Sequence, residues 1–200
     1  MGRVDPTGAI LITVTGEQTI LEIAGDAASR VSFRKDHTVD TSQLTDDDLR
    51  ANEGALLLRQ MDVSSDVYTY REAQTAMTAG GMQQVDGVLN LDDNPFRGIV
   101  INGVPRPKTA GFFPSNGVNG GVTVDPTKQY YDQSTRSLAV PKADIAFHEL
   151  AESHAKVQNN IPRGPHHGPG AHHIARLREV ILMLQRPNWT PYPAGGLLTR

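Results

Sequence analysis

The chain contains no cysteine. That excludes a disulfide framework, a thiolate nucleophile and a zinc site built on sulfur, so any metal must rest on nitrogen and oxygen donors. Long apolar runs are missing too. No window approaches the roughly 20 residues of a membrane span, and the N-terminus lacks the basic stretch and apolar run of a signal peptide. The expectation is a chain without a membrane span that is either cytoplasmic or secreted without a classical signal peptide. Nor is there a block of one charge. The 19 Lys and Arg are interspersed among 22 Asp and Glu, which leaves no basic stripe for nucleic acid and no polybasic membrane patch. A nucleic-acid partner is therefore not expected.

What is present is 19 Gly and 13 Pro in 200 residues, a composition that favours a loop-rich domain of short strands over a helical bundle. The length fits one domain. Residues 1–8 read as a junction, 9–186 as a single domain and 187–200 as an extended or disordered tail. The expected fold class is α+β, a short-stranded antiparallel sheet with a pair of metal-binding helices. Strands are expected at 9–14, at Thr19 to Ile23, around Val31 to Phe33, and at Val67 to Arg71. Thr45, followed by Asp46, Asp47 and Asp48, reads as the cap of a helix over 46–61. From Gly80 to Gly121 the chain reads as loops with two or three short strands, and Gly121 to Pro126 as a strand ending in a turn.

Pro141 stands at the first position of a helix that should run to about Gln158. Ile161 to Gly170 holds three prolines and three glycines and reads as a loop. A last helix should span Gly170 to about Gln185, with Ile174, Leu177, Ile181 and Leu184 as its core face, and stop before Pro187.

The chemistry concentrates on these two helices. His148 and Glu152 lie one turn apart on one face, the placement by which an imidazole and a carboxylate grip one cation. Glu149 points about 100° away around the helix, where a general base can take a proton from water on the open side of a metal. A catalytic zinc needs a third protein ligand, which His172 or His173 can donate. Periodicity leaves both open. His172 is favoured because Glu179, two turns on, shares its side and can orient an imidazole from the outer shell. Read without a metal, Glu149 and Glu152 are solvated helix acids and His148 a hydrogen-bonded core histidine. His154 reads as structural, His166 and His167 as exposed loop residues, and Tyr130 and Tyr131 as strand or core tyrosines. Asp92-Asp93-Asn94-Pro95 reads as a turn, since it lacks the spaced ligands of a calcium loop.

Asp5-Pro6-Thr7-Gly8 resembles the element that ends the core of Rhs-type polymorphic toxins. The His148-Glu149-Leu150-Ala151-Glu152 helix, with the later Gly-Ala-His and Arg-Glu, is similar to zincin-like metallopeptidase tails of such proteins, with Glu152 where the usual motif has His. The resemblance implies His148, Glu152 and His172 as zinc ligands and Glu149 as the base. It also implies a metallopeptidase toxin, secreted as an effector, that cuts a protein or peptide substrate in a target cell and is neutralised in its producer by an immunity protein. Two alternatives stand beside it. One is a metal-dependent nuclease toxin; the other is a non-enzymatic module in which a metal staples the two helices.

Overall fold

The computed structural model describes residues 10–64, 66–78, 81–90, 100–101, 104–105, 120–136, 138–159, 169–193 and 196–199. Along the chain it places β1 (Ile10–Thr13), α1 (Glu17–Ala24), a 3-10 turn (Gly25–Arg30), β2 (Ser32–Phe33) and β3 (Val39–Asp40). There follow α2 (Asp46–Ala51), α3 (Glu53–Asp62), β4 (Val67–Glu72), β5 (Thr75–Thr78), β6 (Gly81–Gln84) and β7 (Val88–Asn90). The order ends with β8 (Val100–Ile101), β9 (Val104–Pro105), β10 (Gly120–Val124), β11 (Tyr130–Asp132), α4 (Lys142–Asn159), α5 (Ala171–Gln185) and β12 (Leu197–Thr199).

The class is mixed α and β, but the main sheet is not antiparallel as expected. Its order is β1-β4-β10-β7; β1 and β10 both run parallel to β4, and only β7 runs antiparallel to β10. Parallel strands are covered on both faces and so lose the alternation that marks a half-exposed strand. Val67 to Tyr70 and all of β10 are buried accordingly. The other antiparallel pairs among the described residues are short two-stranded ribbons, β2-β3, β5-β6, β8-β9 and β11-β12.

The segment Thr19 to Ile23 is helix and not strand. Its β-prone residues bury Thr19, Ile20, Ile23 and Ala24 at helical spacing, and Gly16 and Gly25 bound it with φ of 98° and 55°. Tertiary burial on one helical face outweighs local β-propensity here. The helix expected over 46–61 is two helices. Thr45 and Asp48 form a reciprocal capping box at the start of α2. At φ −144° Asn52 then breaks the run, and its side chain caps α3 by accepting from Ala55 N at 3.1 Å. In the tail, β12 pairs with β11, Trp189 meets Phe147 edge to face at 5.7 Å, and Tyr192 is buried.

Helix α4 lies against β10 and β4 and also touches α1, α3 and α5. Its close seat on the sheet depends on Gly120. A Cβ there would strike Ser153 Oγ on α4 and stand 3.1 Å from both Tyr68 and Val157. The apolar stripe expected to bury α5 faces outward instead, with Leu177 53%, Ile181 44% and Leu184 81% exposed. The buried face is Ala171, His172, Ala175, Glu179 and Leu182. Two alanines let α5 approach α4 closely, and its buried polar groups find partners there.

Candidate metal centre

The middle of α4 is buried nearly all round, from Ala143 to Ser153. Apolar Ile145, Ala146, Phe147, Leu150 and Ala151 supply the burial. Asp144, His148, Glu152 and Lys156 recur every four residues and form a polar ridge along the helix, every member of it buried. Polar groups removed from water in this way must find partners. They find them on α5, on the returning tail and, for Lys156 and Glu152, in each other.

Three of the expected donors converge. His148 Nε2 lies 3.1 Å from His172 Nδ1, His172 Nδ1 lies 2.9 Å from Glu152 Oε2, and Glu152 Oε2 lies 3.7 Å from His148 Nε2. Ligands about 2.0–2.2 Å from a tetrahedral zinc are separated by roughly 3.3–3.6 Å. The observed spacings bracket that edge length. His172 Nδ1 thus faces an imidazole nitrogen on one side and a carboxylate oxygen on the other, and all three atoms are of the kinds that bind divalent metals. A cation at the centre satisfies all three at once, so two imidazoles and one carboxylate fit a divalent metal. All three side chains are 0–2% exposed.

The histidine pair on the last helix is resolved by burial: His172 enters the cluster, whereas His173 is exposed. Glu179 serves a different imidazole from the one expected. Its Oε1 lies 3.3 Å from His148 Nδ1, so this carboxylate backs the α4 histidine and not His172. Glu179 is held in turn, accepting from Tyr192 N at 2.9 Å and from Arg176 Nη1 at 3.4 Å. The Tyr192 ring stacks on His148 with centroids 4.0 Å apart and 20° between planes. Burial would lower the pKa of His148, but the hydrogen bonds of Glu152 and Glu179 and the charges of Glu179 and Glu149 outweigh it and push it up to about 9. Burial likewise opposes ionisation of Glu152, yet His148, His172 and Lys156 hold it well below the usual carboxylate range.

Glu149 is buried beside the cluster and not solvated. Asn90 Nδ2, at the end of β7, donates to its Oε2 at 3.2 Å and lies 3.4 Å from its carbonyl oxygen. His154 packs 5.8 Å from the Tyr68 ring, with its pKa lowered to about 4 by burial and the nearby Arg178 charge. Tyr130 is a buried strand residue whose hydroxyl donates to the Asp125 carbonyl at 2.8 Å. Asp5 to Gly8, Asp92 to Pro95, and His166 and His167 lie outside the described residues.

Lys156, Tyr192 and Asn90 belong to the site but were not singled out from the sequence. Lys156 carried a readable signal, a cation one turn after Glu152 on the same face. Tyr192 and Asn90 arrive from distant segments and carried none. The chain matches no protein-family model, no curated protein and no solved structure.

Proposed function

We propose that this protein is a zinc-dependent peptidase, with His148, Glu152 and His172 as ligands and Glu149 as general base. The observation that carries the reading is the convergence of two imidazole nitrogens and one carboxylate oxygen beside a further buried carboxylate on the next residue of the same helix. When bound, zinc supplies a Lewis acid for the scissile carbonyl and acidifies a water. Glu149 accepts that water's proton on its carboxylate and delivers it to the leaving amine nitrogen. Asn90 fixes the orientation of that carboxylate through Oε2, and Glu179 holds the His148 ring through Nδ1.

Two features favour a peptide over a phosphodiester. Among the described residues β7 is one of the two edge strands of the main sheet, β1 being the other, and β7 ends at Asn90, against Glu149. An extended peptide adding to that edge by main-chain hydrogen bonds would pass the base. The interspersed charge also offers no phosphate-binding stripe. The resemblance to Rhs-type toxin tails extends the proposal to a secreted effector acting inside a target cell and restrained in its producer by an immunity protein.

The near-complete burial of the three donors supports a second reading, a metal staple between α4 and α5 with no turnover. One experiment separates the two. Glu149→Gln should retain about one zinc per chain by native mass spectrometry and lose roughly 10²–10⁴-fold in hydrolysis of a denatured-protein or peptide-library substrate. Zinc bound by the wild type with no hydrolysis of any peptide leaves the staple. Failure of the wild type to bind zinc removes both.

A further inference from the structure

We propose that Lys156 is a positioning residue that makes Glu152 a one-oxygen ligand, and that it thereby selects a four-coordinate cation such as zinc over divalent ions that need more oxygens. The inference rests on the metal-centre reading above and names the cation class that the centre takes.

The two oxygens of Glu152 have different surroundings. Oε2 faces His172 Nδ1 at 2.9 Å and His148 Nε2 at 3.7 Å. Oε1 faces the Lys156 ammonium at 2.8 Å. Both side chains of that ion pair are 1% exposed. Lysine is seldom so fully buried, and a methionine would fill a similar volume without taking a charge out of water. An ammonium at this place therefore has work that packing does not explain.

That work is visible in what Oε1 is prevented from doing. A carboxylate can grip a cation through both oxygens, and calcium sites reach six to eight ligands partly by that means. Bidentate binding by Glu152 would take Oε1 away from a buried ammonium in a region of low dielectric, where the attraction between unlike charges is strong. The lysine thus presents Oε2 alone to the cluster. It also neutralises much of the carboxylate's charge, leaving a donor set dominated by two imidazoles. Nitrogen-rich, low-coordinate sets suit zinc and cobalt; magnesium, calcium and manganese favour several anionic oxygens. The four-residue spacing sets this up on one helix, with His148, Glu152 and Lys156 in successive turns.

The test uses cobalt(II) and zinc on the full chain and needs no substrate. Wild type, Lys156→Met and Lys156→Gln are loaded with cobalt(II), their visible spectra are recorded, and zinc and manganese(II) affinities are measured by competition with a chelating indicator. The wild type should show the intense bands of four-coordinate cobalt. Lys156→Met should show the weak bands of a higher-coordinate ion, with zinc affinity about 10–100-fold lower and a reduced preference over manganese. Lys156→Gln loses the charge but keeps a donor for Oε1, and should retain the intense bands. Intense bands and unchanged metal preference in Lys156→Met would overturn the proposal while leaving the metal centre standing, as would weak, high-coordinate bands in the wild type. Cobalt and zinc both failing to bind the wild type would instead remove the metal centre itself. Should Lys156→Met not fold, zinc-edge X-ray absorption of the wild type decides: Glu152 bound through one oxygen supports the role, and through two overturns it.

Discussion

His172 and His173 stand side by side in the chain and have opposite fates. One turns into a contact with Glu152 and His148; the other faces solvent. His172→Ala should therefore lower zinc affinity as severely as His148→Ala, whereas His173→Ala should leave both zinc affinity and thermal stability near the wild-type values, within about 0.5 kcal/mol for a surface change. Zinc titrations and melts of the three variants check this. Zinc loss in His173→Ala would mean that the helix rotates on binding and that the cluster is not the site. Glu179 has the supporting role. Its replacement by Gln removes the charge behind His148 Nδ1 and should weaken zinc about 10–100-fold without removing a ligand.

At the scale of the element, α5 carries its two faces in an unexpected arrangement. Leu182 is fully buried, while Leu177, Ile181 and Leu184 are exposed. Leu182→Ala should cost about 2–5 kcal/mol by leaving a cavity in the core. Leu177→Gln and Leu184→Gln should each change stability by less than about 0.5 kcal/mol, read from urea unfolding midpoints. A large loss in either surface variant would show that the stripe is covered in solution. The seat of α4 on β10 makes a complementary demand. Gly120→Ala forces a methyl group onto Ser153 Oγ, and should cost roughly 1–3 kcal/mol through displacement of the helix that carries His148, Glu149 and Glu152.

At the scale of the whole molecule, the returning tail ties the polar ridge of α4 to the rest of the fold. Thr190 N donates to Asp144 Oδ2 at 2.8 Å. Burial pushes the Asp144 carboxyl up to about 7 against that hydrogen bond, with the Glu179 charge acting in the same direction and Arg186 opposing it. The folded protein therefore keeps a proton between the ordinary value of 3.8 and about 7 that the unfolded chain has released. The stabilisation is complete below that window and is lost as pH rises through it, by up to about 1.4 kcal/mol for each pH unit. Asp144→Asn should gain stability relative to wild type as pH rises from 4 to 8. Because His154 titrates with the opposite sign, its pKa lowered to about 4, the readout is the difference between the two proteins' melting curves at each pH. A difference that stays constant across the range would count against a raised Asp144. Zinc bound at the proposed centre would couple to the same folding equilibrium. At 100 times its dissociation constant it should stabilise the fold by about 2.7 kcal/mol, and a chelator should remove that gain in a melt.

Much of this molecule could be read from residue order because helical periodicity and capping act over a few residues. The bounds of α4 and α5, the capping box at Thr45, the shared face of His148 and Glu152 and the adjacent Glu149 all follow from local spacing. Tertiary structure decided whatever depended on a partner far along the chain. The parallel pairing of β1 with β4 and of β10 with β4 needed contacts across dozens of residues. The conversion of Thr19 to Ile23 into helix needed a core for Ile20 and Ile23 to enter. The orientation of α5 went against its own apolar pattern because a buried cluster of His172, Glu179, His148, Glu152 and Lys156 satisfies its polar groups inside. Periodicity treats polar residues as outward-facing, and a site made of mutually paired polar groups on two helices inverts that rule.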